Sequence, residues 1–279
     1  MTRNREGVRR TAAEELGLPT MAYKFVDTVE DLEECAEQVG YPLVVKPGRS
    51  TAGEGQSVVR ESKELRAAFS KAQTACGPEG ASEPVAVEQY IDFDYEVTIL
   101  TVRSIDPATG AMATWFCEPI GTRHEHGKLV ETWQPAALSQ AAADNARSIA
   151  ARISGAIAGR GVYSIELFVD GDEVYFSQAT PRPDADGLLT RGTQRVDQFD
   201  LHARATAGLP IDVTLTSPGA AAFLHGVNPT TAQIAQAMAV DEVTVEVHED
   251  AVMVLATADT IDEAHERAAE AAKQLEVER

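Results

Sequence analysis

Val44-Val45-Lys46-Pro47-Gly48-Arg49-Ser50-Thr51-Ala52-Gly53-Glu54-Gly55-Gln56 is the stretch on which the fold turns. Pro42 to Lys46 reads as a short apolar strand closed by Pro47, and Gln56 to Arg60 as its return. Glycines stand at 48, 53 and 55 between them. Glycine lets backbone N–H groups approach phosphate oxygens closely. A lysine at the strand end can pair with the same oxygens as a point charge. Taken alone, the stretch is better read as a surface lysine ahead of a flexible hairpin loop, because glycine loops are common and this is not a Walker sequence.

The flanking elements narrow the reading. Arg5 to Leu16 predicts a helix with Val8, Ala12 and Leu16 on one side, stopped by Gly17 and Pro19. Met21 to Val26 predicts a strand. Thr28 with Asp31 predicts an N-capped helix to about Val39, and Ser62 caps another to about Ala75. Val85 to Glu88 and Tyr95 to Val102 predict strands. This order suggests a small α+β lobe. The middle reads as mostly antiparallel β, with a helix from Ser139 to Ala158. Val162 to Val169 and Glu173 to Phe176 bracket Asp170-Gly171-Asp172, a strong hairpin signal. Gln198 to Ala207 predicts a helix, Val243 to Ala256 a hairpin, and Ile261 to Leu275 a last helix.

The chain has 279 residues and a net charge of −20. That charge repels nucleic acid and anionic membrane alike, so neither is an expected partner. An acidic protein must concentrate its few cations to hold an anionic nucleotide. No stretch is apolar enough to cross a membrane, and the first residues lack the apolar core of a secretion signal. A cytoplasmic location is expected. Cys35, Cys76 and Cys117 are far apart and form no CxxC pair, which favours free thiols over a disulfide framework or zinc. His124 and His126 read as polar-loop residues without a third ligand at a telling spacing. His248 and His265 read as surface residues, and Trp115 and Trp133 as core aromatics.

Val44-Val45-Lys46-Pro47, the glycine loop, Val87-Glu88-Gln89-Tyr90-Ile91 and Tyr95-Glu96-Val97, in that order, resemble the ATP-grasp superfamily. Ser164-Ile165-Glu166-Leu167-Phe168-Val169 and Ser177-Gln178-Ala179-Thr180-Pro181-Arg182-Pro183 occupy its metal-binding hairpin. Asn4-Arg5-Glu6-Gly7, Gly40-Tyr41-Pro42, Trp133-Gln134-Pro135 and Glu166 to Val174 resemble the formate-dependent phosphoribosylglycinamide formyltransferase family within it, over nearly the whole chain. The resemblance implies an α+β ATP-grasp fold of two lobes with the nucleotide cleft between them. Residues 1–87 would form the small lid lobe, 88–210 the large lobe, and 211–279 a C-terminal hairpin and helix. ATP and Mg²⁺ are the implied cofactors. Arg5 and Lys46 would meet the ATP phosphates, and Thr51, Ala52, Gly53, Gly55 and Gln56 would close over them. Glu88 and the Ile91 backbone would hold the adenine edge, Glu96 the ribose hydroxyls, and Glu166 with Gln178 the magnesium ion. The implied chemistry is acyl-phosphate ligation of a small carboxylate to an amine in purine biosynthesis.

Four positions depart from that pattern. Gln178 stands where the family has a metal-binding Glu, and Glu54 where its loop has Lys. Asp184-Ala185 replaces a substrate-contacting His-Asp pair. The turn His248-Glu249-Asp250 is short and acidic where a basic loop would hold a phosphate. The family's N-terminal domain, which helps bind the ribonucleotide, is expected to be missing, since the resemblance begins where that domain would end. Three readings stay open: an ATP-dependent ligase acting on an altered substrate, a catalytically degenerate nucleotide-binding or regulatory protein, and an enzyme needing a separate N-terminal domain. A homodimer and a partner chain supplying that domain are both open.

Overall fold

A computed structural model describes residues 5–48, 55–77, 83–125, 127–249 and 251–276. The expectations for Thr51, Ala52, Gly53, Glu54, His126 and Asp250 lie outside the described residues.

Helix α1 spans Arg5–Arg10 and continues as one π-helical turn, Thr11–Glu15, rather than as a single regular helix. Its Val8 and Ala12, four residues apart on one side, are both buried. Strands β1 (Tyr23–Val26), β2 (Leu43–Lys46), β3 (Ser57–Val59) and β4 (Val85–Gln89) form a small antiparallel sheet in the order β1-β4-β2-β3. Alternation fixes its two faces. Leu43, Val45, Val85 and Val87 pack against α2 (Val29–Val39) and α3 (Leu65–Ala75). Val44, Lys46 and Glu88 face the other way. As the sequence predicts, Thr28 caps α2 by accepting from Asp31 N at 3.1 Å. Ser62 does not cap α3. It opens a 3-10 turn, Ser62–Glu64, ahead of the helix.

Among the described residues, the large sheet holds nine strands. They are β5 (Tyr95–Ile105), β6 (Met112–Phe116), β7 (Ile120–Glu125), β8 (Lys128–Gln134), β9 (Gly161–Asp170), β10 (Glu173–Thr180), β11 (Gly219–His225), β12 (Val243–Val247) and β13 (Ala251–Thr257). The main path is β10-β9-β5-β7-β8-β11-β13-β12, with β6 also on β5. The C-terminal strands therefore extend the large sheet. One face, with Val97, Ile99, Ile165 and Leu167, buries against α4 (Gln140–Ile157) together with Val8 and Ala12. The start of the chain thus contributes to the large sheet's core. On the opposite face, Leu100, Val102 and Val162 are covered by α6 (Gln198–Ala207) and Leu189, just before the short helix α5 (Thr190–Thr193). Beyond that apolar patch the same face turns polar, at Glu96, Thr98, Glu166 and Gln178. Helices α7 (Thr231–Ala237) and α8 (Ile261–Lys273) complete the chain. Gly121 makes room for Trp133, its cross-strand partner, because a Cβ there would lie 2.1 Å from the indole.

Trp115 and Trp133 are partly buried against the cores rather than enclosed. His265 is half-buried against Glu131 at 2.8 Å. Among the described residues, no helix is long and apolar enough to cross a membrane, and Cys35, Cys76 and Cys117 are free.

Candidate functional site

Two polar faces of opposite sign meet. On the small sheet, the register sets Val44 opposite Glu88. Lys46, two residues on from Val44, projects from the same face. Lys46 Nζ donates to Glu88 Oε2 at 2.6 Å. The other carboxylate oxygen accepts from Arg9 Nη2. Arg9 Nη1 also donates to the Phe176 carbonyl at 2.9 Å. Arg5, one turn earlier on α1, donates through Nε to the Pro47 carbonyl at 3.2 Å. Burial would raise the Glu88 carboxyl, but Lys46 and Arg9, with a smaller pull from Arg5, outweigh it and hold it at about 2. Lys46 moves down. Burial opposes its charge, and one carboxylate shared with Arg5 and Arg9 does not compensate. Three cations against one carboxylate leave a surplus of two positive charges in a chain of net charge −20.

The large sheet supplies the negative face. Adjacent strands set Thr98 opposite Glu166, and Glu166 opposite Gln178. Thr98 Oγ1 donates to Asp186 Oδ2 at 2.7 Å. Burial and then Asp186 push the Glu166 carboxyl up to about 7, against His124 and Arg5. Burial, Asp186 and Glu166 hold Asp184 well above the usual carboxylate range. Ser164 eases that charge, yet Asp184 Oδ1 is buried with no hydrogen bond of good geometry. Arg9, bonded to Glu88 on the small sheet and to the Phe176 carbonyl on β10, joins the small sheet to the edge of the large one.

Glu96, the expected ribose contact, is on this face and bonds His124 Nδ1 at 2.6 Å. His124 is therefore not a loop residue. It lies on β7, and the register that pairs Thr122 with Glu96 carries it toward the same carboxylate. Burial pulls its pKa down, but the Glu96 bond and the charges of Glu96, Asp186 and Glu166 bring it to about 9. A raised histidine contributes stability that is complete below about 6.5 and lost as pH rises through about 9. An NMR titration is expected to find the His124 midpoint near 9, and Glu96→Gln to lower it.

Ile91 lies between β4 and β5, beside a groove of about 450 Å³ lined by Met21, Gln89, Tyr90 and Tyr175 among others. Phe93 stacks on Phe168 at 4.3 Å, next to Glu96 in the register. Gly55 closes the glycine loop at φ +77°, where a Cβ would sit 2.3 Å from that of Ala75. Gln56 offers its carbonyl to Lys71 at 2.9 Å. Arg5, Lys46 and Glu88 thus lie on the small-sheet side, and Glu96, Glu166 and Gln178 share one face of the large sheet. Sequence reasoning missed Arg9 and His124. The i+4 spacing of Arg5 and Arg9 was the available signal for the first. Among the described residues, no group of three or more His, Cys, Asp or Glu side chains has metal-holding geometry. The donors around Glu166 are nevertheless hard oxygens, one of them orphaned, and suit a magnesium ion that takes its remaining ligands from phosphate and water.

A cleft between a small antiparallel sheet bearing the lysine and a large sheet bearing the carboxylates defines an ATP-grasp protein, and the ATP-grasp domain model matches residues 11–199. The chain belongs to that family and, within it, to the formate-dependent phosphoribosylglycinamide formyltransferases. It is 51% identical over 290 residues to that protein of Corynebacterium jeikeium, covering 99% of this chain and 70% of the relative. It is 54% identical to the Corynebacterium efficiens protein, covering 87% of this chain and 61% of that relative. The chain thus spans about three fifths of the Corynebacterium efficiens protein's length. The solved glycinamide transformylase T of Mycobacterium tuberculosis superposes with a TM-score of 0.79 at 38% identity, covering 98% of this chain and 71% of that one. Carboxyaminoimidazole ribonucleotide synthase of Aspergillus clavatus, solved with ATP, shares the fold at a TM-score of 0.85 and 21% identity, over 98% of this chain and 73% of that one.

Proposed function

We propose that the cleft binds ATP with magnesium and serves acyl-phosphate ligation of a small carboxylate to an amine, as in the formyltransferases. The observation that carries this reading is that Arg9 bonds Glu88, the partner of Lys46 on the small sheet, and also the Phe176 carbonyl on β10, the strand that sets Gln178 opposite Glu166. Cations on the lid side suit a triphosphate, and carboxylates on the facing sheet suit its counter-ion. Lys46 would exchange Glu88 for phosphate oxygens, and Arg5 would sit beside them. Glu96, fixed by His124, offers acceptors for a vicinal diol. Glu166 and Gln178 would hold magnesium, whose charge neutralises the transferring phosphoryl group. Positioning by these side chains is the protein's main contribution to such a transfer.

Gln178 favours a second reading. It is the direct cross-strand neighbour of Glu166, and an amide there brings an oxygen but no charge. A nucleotide-binding protein with weakened magnesium dependence and little turnover fits that substitution. Calorimetry with ATP, with and without magnesium, separates the two. The ligase reading expects magnesium to strengthen binding, and ADP release when formate and an amine are supplied. The second expects magnesium to change affinity little in the native protein, and Gln178→Glu to strengthen Mg·ATP binding by roughly tenfold or more. Absence of ATP binding under either condition defeats both.

A further inference from the structure

Arg9 is 2% exposed, and the nucleotide reading assigns it no contact. Its guanidinium fork does two things at once. Nη2 takes one oxygen of Glu88, and Nη1 takes the carbonyl of Phe176, on the edge strand of the large sheet. The Phe176 N–H is already given to Pro19 O at 2.8 Å, so both backbone groups of this edge residue are held by the N-terminal segment. The guanidinium also lies over the Tyr23 and Phe176 rings, at 5.7 and 5.8 Å from their centroids. A planar group held along its edge by two hydrogen bonds and packed near two rings has little freedom to follow a moving carboxylate.

The consequence falls on Lys46. With Arg9 holding one oxygen, Glu88 offers Lys46 only the other. A carboxylate free to turn would offer both and follow the ammonium as it moved. We propose that Arg9 is a positioning residue: by fixing and half-neutralising Glu88, it leaves the Lys46 ammonium exchangeable, ready to pass from Glu88 to the phosphate oxygens of a nucleoside triphosphate. Among the described residues, the charged groups facing Lys46 are Glu88 from β4 and Arg5 and Arg9 from α1. Arg9 repels the ammonium while it restrains the carboxylate, so both effects loosen Lys46 from its resting partner. The ligand identity rests on the nucleotide reading. The effect on Lys46 does not, because it belongs to the unliganded protein.

Two measurements on Arg9→Gln and Arg9→Lys test this. Gln keeps a donor for the Phe176 carbonyl and removes the charge, whereas Lys keeps the charge beside Glu88. In the unliganded protein, NMR of ε-¹³C-labelled lysine is expected to show the Lys46 midpoint rising in Arg9→Gln and rising less in Arg9→Lys, where the charge stays but the fork is lost. Calorimetry is expected to show ATP affinity falling by roughly 10–100-fold in Arg9→Gln, and by less in Arg9→Lys, which keeps the charge but not the planar fork. Adding Glu88→Gln to Arg9→Gln releases Lys46 and is expected to recover part of the loss. A purely structural Arg9 predicts no recovery. An unmoved Lys46 midpoint in a folded Arg9→Gln overturns the proposal, as does native ATP affinity in that variant. If Arg9→Gln does not fold, Arg9→Lys decides. Reduced affinity together with a raised Lys46 midpoint supports the proposal, and native affinity or an unmoved midpoint overturns it. If the native protein binds no ATP, the nucleotide reading fails, and the Lys46 midpoint alone decides the role of Arg9.

Discussion

Glu88→Leu is expected to destabilise the unliganded protein by about 3–5 kcal/mol, because it strands two buried cations. Arg9 and Lys46 both direct their charged groups at this carboxylate, and Glu88 is itself 2% exposed. A pair that survives intact can be worth little, since desolvation cancels much of the attraction, but removing one partner leaves that desolvation uncompensated. Urea denaturation of the native and variant proteins gives the difference directly. The pH dependence supplies an independent check. The Glu88 carboxyl is held at about 2 in the fold, below the ordinary 4.5. A depressed carboxyl contributes stability that is complete above the unfolded value and lost as pH falls through the folded one. Glu88 therefore contributes about 3 kcal/mol near neutrality, lost between about pH 4.5 and pH 2. Glu88→Leu is expected to erase that acid-side slope. A slope that persists would assign it to other carboxylates.

Glu88 also shows how far the sequence could be read. Period-two alternation in Val44-Val45-Lys46 and Val85-Ala86-Val87-Glu88 is enough to put Lys46 and Glu88 on the polar face of one sheet. What alternation does not reveal is that they face each other before any ligand arrives. Arg9 was less visible still. Its partners are 79 and 167 residues away, and local pattern carries no information at that range. The helix containing it reads as regular, while the fold turns it into a π-turn at Thr11–Glu15. Strand β11 was unseen for a different reason. Gly219-Ala220-Ala221-Ala222 has low strand propensity, and its pairing with β8 and β13 overrides it. Arg123-His124-Glu125 looks like a polar loop, yet β7 pairs on both sides and delivers His124 to Glu96. The glycine loop was legible as a motif, whereas the contacts of Arg9 and His124 come from tertiary pairing.

Glu166→Gln is expected to do opposite things to stability and to binding. Burial and Asp186 lift the Glu166 carboxyl to about 7 from an ordinary 4.5. A raised carboxyl costs nothing below its unfolded value, and the cost grows as pH rises to the folded one, where the fold must carry the buried charge. Unliganded Glu166→Gln is therefore expected to match the native protein near pH 4.5 and to exceed it at pH 8, by up to about 3 kcal/mol. Denaturation at the two pH values reads this difference. The buried amide is neutral at both, so the gain should follow the native protein's titration rather than the variant's. Binding should move the other way. With Gln178 already uncharged, Glu166 is the one carboxylate of the proposed magnesium pair, and its loss is expected to remove the magnesium-dependent part of ATP affinity. Magnesium alone should raise the native protein's melting temperature by relieving the repulsion among Glu166, Asp184 and Asp186, and should leave Glu166→Gln less changed. A variant that gains stability at pH 8 yet keeps the full magnesium effect would move the ion to Asp184 and Asp186. A variant that gains none would mean that Glu166 is charged and solvated in the open cleft, with no strain for the ion to relieve.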